Sequence, residues 1–262
     1  MTDSELKQAV SKGFANPQHL TDLLNRSDLP QDRLIAARTN LAQAYNSGKI
    51  TKEALQRFIS QLSKAKSLDQ FDQVLAELRH ANRLIASGVV AQNSLVLVSA
   101  KKGRQYDLGT TTIEIDPVHE ADILYLGTDG LIHLHEVKNT ATALRNKLKK
   151  KHQQFERMLR WRRLGPSQRE IRIVIGTEVG WTEVLATRRQ EPTALVILKD
   201  HQVPLTIGEF NLTLAQMNEL LDAIERKKIE LKKQRAWSGF NDFYRQMPTL
   251  LDAEHFLGVS LS

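Results

Sequence analysis

A chain of 262 residues is long enough for one domain or two, and 41% apolar content with few glycines and prolines excludes a disordered chain. No run of ~18 apolar residues is present, the charged opening from Asp3 onward lacks the apolar stretch of a secretory signal, and the absence of cysteine excludes disulfides and thiolate metal sites. The net charge of +7 is local: Arg145 to Arg163 hold nine Lys or Arg against one acid, Glu156, and the remainder of the chain is close to neutral. A concentrated basic segment fits a docking site for a polyanion, against the blander reading of a solvated helix face. The expected location is the cytoplasm, with delivery into another cell left open.

The N-terminal quarter reads as helix. Pro30 suits a first helical turn, and Leu34, Ile35, Leu41 and Ala42 recur at helical spacing until Asn46-Ser47-Gly48. Thr51 caps a second helix carrying Leu55, Ile59 and Leu62. A third follows Ser67, with Leu68, Phe71, Leu75, Leu78 and Ile85, and stops at Ser87-Gly88. From residue 94 the period changes, and Ser94–Ser99, Thr110–Ile115, Ala121–Leu126 and Leu131–Lys138 read as strands. Gly127-Thr128-Asp129-Gly130 joins the last two as a hairpin. A long helix is expected from about Thr140 to Trp161, then strands at Ile171–Ile175 and Ala194–Leu198. Leu212 to about Trp237 is helical again, and the last residues hold a short helical piece. The order implies an α/β protein with a mixed sheet and helices on its faces. Three regions are expected: a helical one over 1–66, a core over 67–210 and a C-terminal helical extension over 211–262.

The hairpin concentrates the chemistry. Side chains alternate along a strand, so Glu136 and Lys138 share a face, as do Glu120 and Asp122. A register that sets Asp122 beside Glu136 brings two carboxylates together, and a hard divalent cation is their natural partner. A lysine on that face can orient a water and offset charge on a phosphoryl group. The bland alternative is a surface hairpin whose Glu and Lys form a salt bridge.

The pattern Asp122, thirteen residues, Glu136-Val137-Lys138 resembles the PD-(D/E)XK nuclease superfamily, over roughly residues 67–200. Ala121 stands where the motif's proline would be. The resemblance implies a restriction-endonuclease-like core, a mixed central sheet flanked by helices, with helical extensions at both ends. It implies that Asp122, Glu136 and the Val137 carbonyl bind Mg²⁺ or Mn²⁺ and that Lys138 positions the attacking water. It also implies secondary candidates. Lys151 falls within the apolar stripe of the 140–161 helix and Gln154 on its flank; Glu120 is an added ligand candidate. Glu77 is the acid best placed in sequence on the preceding helix, although it projects away from that helix's apolar face. Arg145, Lys147, Lys149, Lys150, Arg157 and Arg160 would meet a nucleic-acid backbone, and Trp161 either stacks on a base or caps the core.

His133 and His135, with His119, raise zinc as an alternative, but alternating histidines are more often packed or solvated. Trp181, Trp237 and the aromatics near 240 read as core or interface. The expected activity is therefore Mg²⁺-dependent endonucleolytic cleavage, with DNA as the favoured substrate. Ile115–Asp122 and Glu136-Val137-Lys138-Asn139 also look like nuclease toxin modules, which would imply an immunity protein as partner; a repair or defence nuclease is the counterpart reading. The alternatives are an RNase on the same fold and a non-catalytic nucleic-acid-binding module using the basic segment 145–163.

Overall fold

A computed structural model describes residues 17–100, 103–114, 121–140, 143, 146, 171–177, 184–185, 193–207 and 210–261. The chain divides into two compact units, residues 1–137 with 156–173 and residues 138–155 with 174–262. The described residues form a mixed α/β architecture.

Among the described residues the first unit has the helices α1 (Gln18–Leu24), α2 (Gln31–Ser47), α3 (Lys52–Lys64) and α4 (Leu68–Ala86). Their ends follow from local chemistry. The Thr51 hydroxyl accepts the Ala54 N–H and the Ser67 hydroxyl accepts the Gln70 N–H, each satisfying a donor that the first turn leaves open. At the other end of α3, the Arg26 guanidinium donates to the carbonyls of Leu62 (3.1 Å) and Ala65 (2.8 Å). Leu20, Leu41, Phe58, Leu62, Phe71 and Leu75 merge into one core beneath these helices. Val96, Val98, Ile123, Tyr125 and Val137 complete that core from the strand side.

Strands β1 (Leu97–Ala100), β4 (Ala121–Leu126) and β5 (Ile132–Lys138) pair in the order β1-β4-β5, with β6 (Ile171–Thr177) next to β5. The β1–β4 and β4–β5 pairs are antiparallel. The expected strand at Thr110–Ile115 is present only as β3 (Thr112–Glu114), which pairs with β2 (Gln105–Asp107) in a separate two-stranded ribbon. Leu108 and Gly109 turn this ribbon back against the loop before β1. An added Cβ at Gly109, whose φ is +94°, would lie 2.2 Å from the Asn93 carbonyl oxygen, so only glycine fits.

In the second unit β7 (Leu205–Ile207) runs parallel to β6 and antiparallel to β8 (Phe210–Leu212). Parallel neighbours need a crossover, and here it includes α5 (Thr193–Asp200). The expected strand at Ala194–Leu198 is therefore a helix. Its five apolar residues are too few to reveal a period, and burial of Ala194, Leu195 and Leu198 suits either structure. Helix α6 (Leu214–Lys233) starts with a capping box between Thr213 and Gln216. Helices α7 (Phe240–Arg245) and α8 (Leu250–Leu257) follow, and Phe243 meets Trp237, Tyr244 and Phe256 in an aromatic cluster. None of the described helices is long and apolar enough to cross a membrane.

Candidate functional site

The β4–β5 ladder fixes the geometry. Its last pair is Ile123 opposite His135, and the same register carried one step further sets Asp122 opposite Glu136. Facing residues of an antiparallel pair hold their Cβ atoms roughly 4.5–5.5 Å apart on one side of the sheet. At this step the ladder changes character: the Val137 N–H donates to the Asp122 Oδ2 atom at 2.8 Å, so a side chain replaces the main-chain acceptor. Asp122 is half-buried, whereas Glu136 is only 5% exposed. Lys138, the last residue of β5, is half-buried and keeps the strand alternation that Glu136 follows.

The other peptide group of Val137 is held from α4. Its carbonyl accepts from the Gln73 amide at 3.0 Å, and the same amide donates to Glu77 Oε1 at 3.0 Å. Ser99 of β1 donates its hydroxyl to Glu77 Oε2 at 3.4 Å. Glu77 is thus not turned to solvent as its position on the apolar wheel suggests; it is 8% exposed. The helix packs on two sides, against α2 and α3 and against the strands, so its buried surface is wider than its apolar stripe. In sequence nothing singles out Gln73 or Ser99.

The opposite face of β5 carries a polar chain through the core. His135 Nδ1 lies 3.0 Å from His80 Nε2, and its Nε2 atom lies 3.3 Å from the Tyr125 hydroxyl. Burial, with the Arg83 charge as the lesser cause, pushes His80 down to about 3, and burial next to His80 and His133 drives His135 well below its usual value. Both imidazoles are therefore neutral. Among the described residues His80 Nδ1 has no hydrogen-bond partner, which favours the tautomer with its proton on Nε2, since an orphaned lone pair is more tolerable than an orphaned N–H. His133 bonds Asp129 at 3.0 Å in the hairpin turn. These contacts account for two of the histidines that raised zinc; His119 lies outside the described residues.

Among the described residues, no group of three or more His, Asp or Glu is gathered closely enough to hold a cation by side chains alone. The donors at the Asp122 rung are oxygens: two carboxylates and the Val137 carbonyl, which has a second lone pair beside the one that Gln73 uses. That set fits Mg²⁺ or Mn²⁺, which are commonly held by one or two carboxylates with waters and substrate phosphates completing the shell. It does not fit a soft metal. Of the helix expected from Thr140 to Trp161 only residues 140, 143 and 146 are described, and there the Thr140 hydroxyl accepts the Ala143 N–H at 3.0 Å. Glu120, Arg145, Lys147, Lys149, Lys150, Lys151, Gln154, Arg157, Arg160, Trp161 and Trp181 lie outside the described residues. No family model matches the chain, and no curated protein is detectably similar to it.

Proposed function

We propose that the chain is a divalent-cation-dependent phosphodiesterase of the PD-(D/E)XK type that cleaves nucleic acid, with DNA the favoured substrate. The observation that carries this reading is the end of the β4–β5 ladder, where the register carried one step past Ile123 and His135 sets Asp122 opposite Glu136 and the Asp122 carboxylate accepts the Val137 N–H. Two carboxylates facing each other on one rung repel, and that repulsion is a cost in a purely structural arrangement. A cation between them turns that cost into affinity.

In this reading Asp122, Glu136 and the Val137 carbonyl hold Mg²⁺ or Mn²⁺. Bound there, the ion supplies Lewis acidity toward a phosphodiester oxygen and makes a water more acidic. The protein's own part is positional. The bond from Val137 N–H keeps the Asp122 carboxylate aimed, and burial of Glu136 keeps its carboxylate from competing solvent. The Lys138 ammonium orients the attacking water and offsets charge growing on the phosphoryl oxygens. Glu77 stands beside the same strand end as an additional acid, tied to Val137 through Gln73. The basic segment 145–163 would dock the phosphate backbone.

The test is incubation of the purified full-length protein with plasmid and with RNA, in Mg²⁺ or in EDTA. Cleavage that requires the cation and disappears in Asp122→Ala supports the reading. Binding without EDTA-sensitive cleavage overturns it in favour of a non-catalytic module, and the two substrates separate DNase from RNase. A role as an antibacterial toxin adds one expectation: wild type slows growth of its host and Lys138→Ala does not.

A further inference from the structure

Three observations converge on the strand end and are not used by the motif itself. The first is the Gln73 amide, which donates to two acceptors, Glu77 Oε1 and the Val137 carbonyl. Only the NH₂ side of the amide can face them, so its orientation is fixed by chemistry. The second is Ser99. The β1–β4 register pairs Val98 with Ile123 and Ala100 with Ala121, which leaves Ser99 opposite Asp122. The third is the backbone there: Ser99 has a φ of +50°, a conformation that a serine inside a strand rarely adopts. Such strain persists only where the surroundings over-determine it. Here the Arg57 guanidinium donates to the Ser99 carbonyl at 3.4 Å while the Ser99 hydroxyl reaches Glu77.

We propose that Gln73 and Ser99 are positioning residues that, through the Glu77 carboxylate, fix the Val137 carbonyl beside the rung of Asp122 and Glu136, an assignment that rests on the phosphodiesterase reading. Gln73 holds one oxygen of Glu77 and the carbonyl of Val137 at once, so the helix and the strand end cannot shift independently. Ser99 holds the second Glu77 oxygen, and its left-handed backbone turns the hydroxyl toward α4 instead of along the pleat. Residues that orient the groups at a metal site typically contribute about 10–100-fold in affinity or activity without touching the metal.

The experiment uses the full chain, with Mn²⁺ titrated calorimetrically and plasmid cleavage followed in parallel. Gln73→Met keeps the volume and removes both donors. Ser99→Gly removes the hydroxyl and suits the backbone, so it remains informative even if the first variant folds poorly. Both variants are expected to bind Mn²⁺ about 10-fold more weakly and to lose kcat at an unchanged KM for DNA. Ser99→Gly is further expected to melt at or above wild type, by up to about 2–4 °C. Wild-type Mn²⁺ affinity and kcat in both variants would overturn the proposal while leaving the Asp122 rung intact, as would a Ser99→Gly protein that melts well below wild type. A wild type that binds no Mn²⁺ would instead remove the phosphodiesterase reading, and this assignment with it.

Discussion

The carboxylate of Asp122 takes the place of a main-chain carbonyl, accepting the Val137 N–H at 2.8 Å where the β4–β5 ladder ends. One side chain therefore has a structural duty and, on the proposed reading, a chemical one, and two substitutions separate them. Asp122→Ala leaves the N–H of a fully buried Val137 without its acceptor and should cost about 1–3 kcal/mol of stability. Asp122→Asn keeps an acceptor oxygen but not the charge. It should melt close to wild type and still lose cation-dependent cleavage, as chemical denaturation and the plasmid assay would read out.

Lys138 ends β5 and is half-buried. On the proposed phosphodiesterase reading, Lys138→Ala should lower kcat by about 10²–10³-fold. Mn²⁺ affinity should stay at or above wild type, since no ligand is lost and a nearby positive charge is removed. A calorimetric titration alongside the kinetics checks both.

His80 gives a pH dependence whose sign follows from its burial. Its folded-state value is pushed down to about 3 from 6.5. Above about pH 6.5 the imidazole is neutral in both states and folding is indifferent to it. Below that pH only the unfolded chain takes up the proton, so stability falls as the pH drops toward about 3. The slope reaches about 1.4 kcal/mol per pH unit for one such histidine. Urea unfolding between pH 6.5 and 5, above most carboxylate titration, should show the decline, and His80→Phe should reduce it by about one proton's worth.

Gly109 tests the β2–β3 ribbon. With φ at +94° and the Asn93 carbonyl 2.2 Å from any added Cβ, Gly109→Ala meets backbone and not a flexible side chain. The variant should lose at least about 1 kcal/mol, measured by the midpoint of denaturant unfolding.

Much of the fold was legible where the signal is local. The Thr51 and Ser67 caps, the Asp129-Gly130 turn and the alternation of β5 all depend on neighbours in sequence, and each is where the residues place it. The same turn sets the β4–β5 register up to Ile123 opposite His135. What escaped needs information from elsewhere in the chain. Ala194–Leu198 is a helix because β6 and β7 are parallel and need a crossover, a requirement invisible in five apolar residues. Glu77 is buried because α4 is covered on two sides, which its wheel cannot reveal. Ser99 carries no sequence mark at all, since a serine in a β-branched run gives no hint of positive φ.

The histidine pair beneath β5 also bears on how the strand finds its place. Sliding β5 by one residue would thrust the Glu136 carboxylate among Phe71, Leu75 and Ile123 and turn His135 to the other face of the sheet, away from His80 and Tyr125. An all-aliphatic strand would have tolerated the wrong alignment more cheaply. By making misalignment cost a buried charge and two abandoned hydrogen bonds, the neutral imidazoles act as an index mark that sets which face of the sheet Glu136 takes.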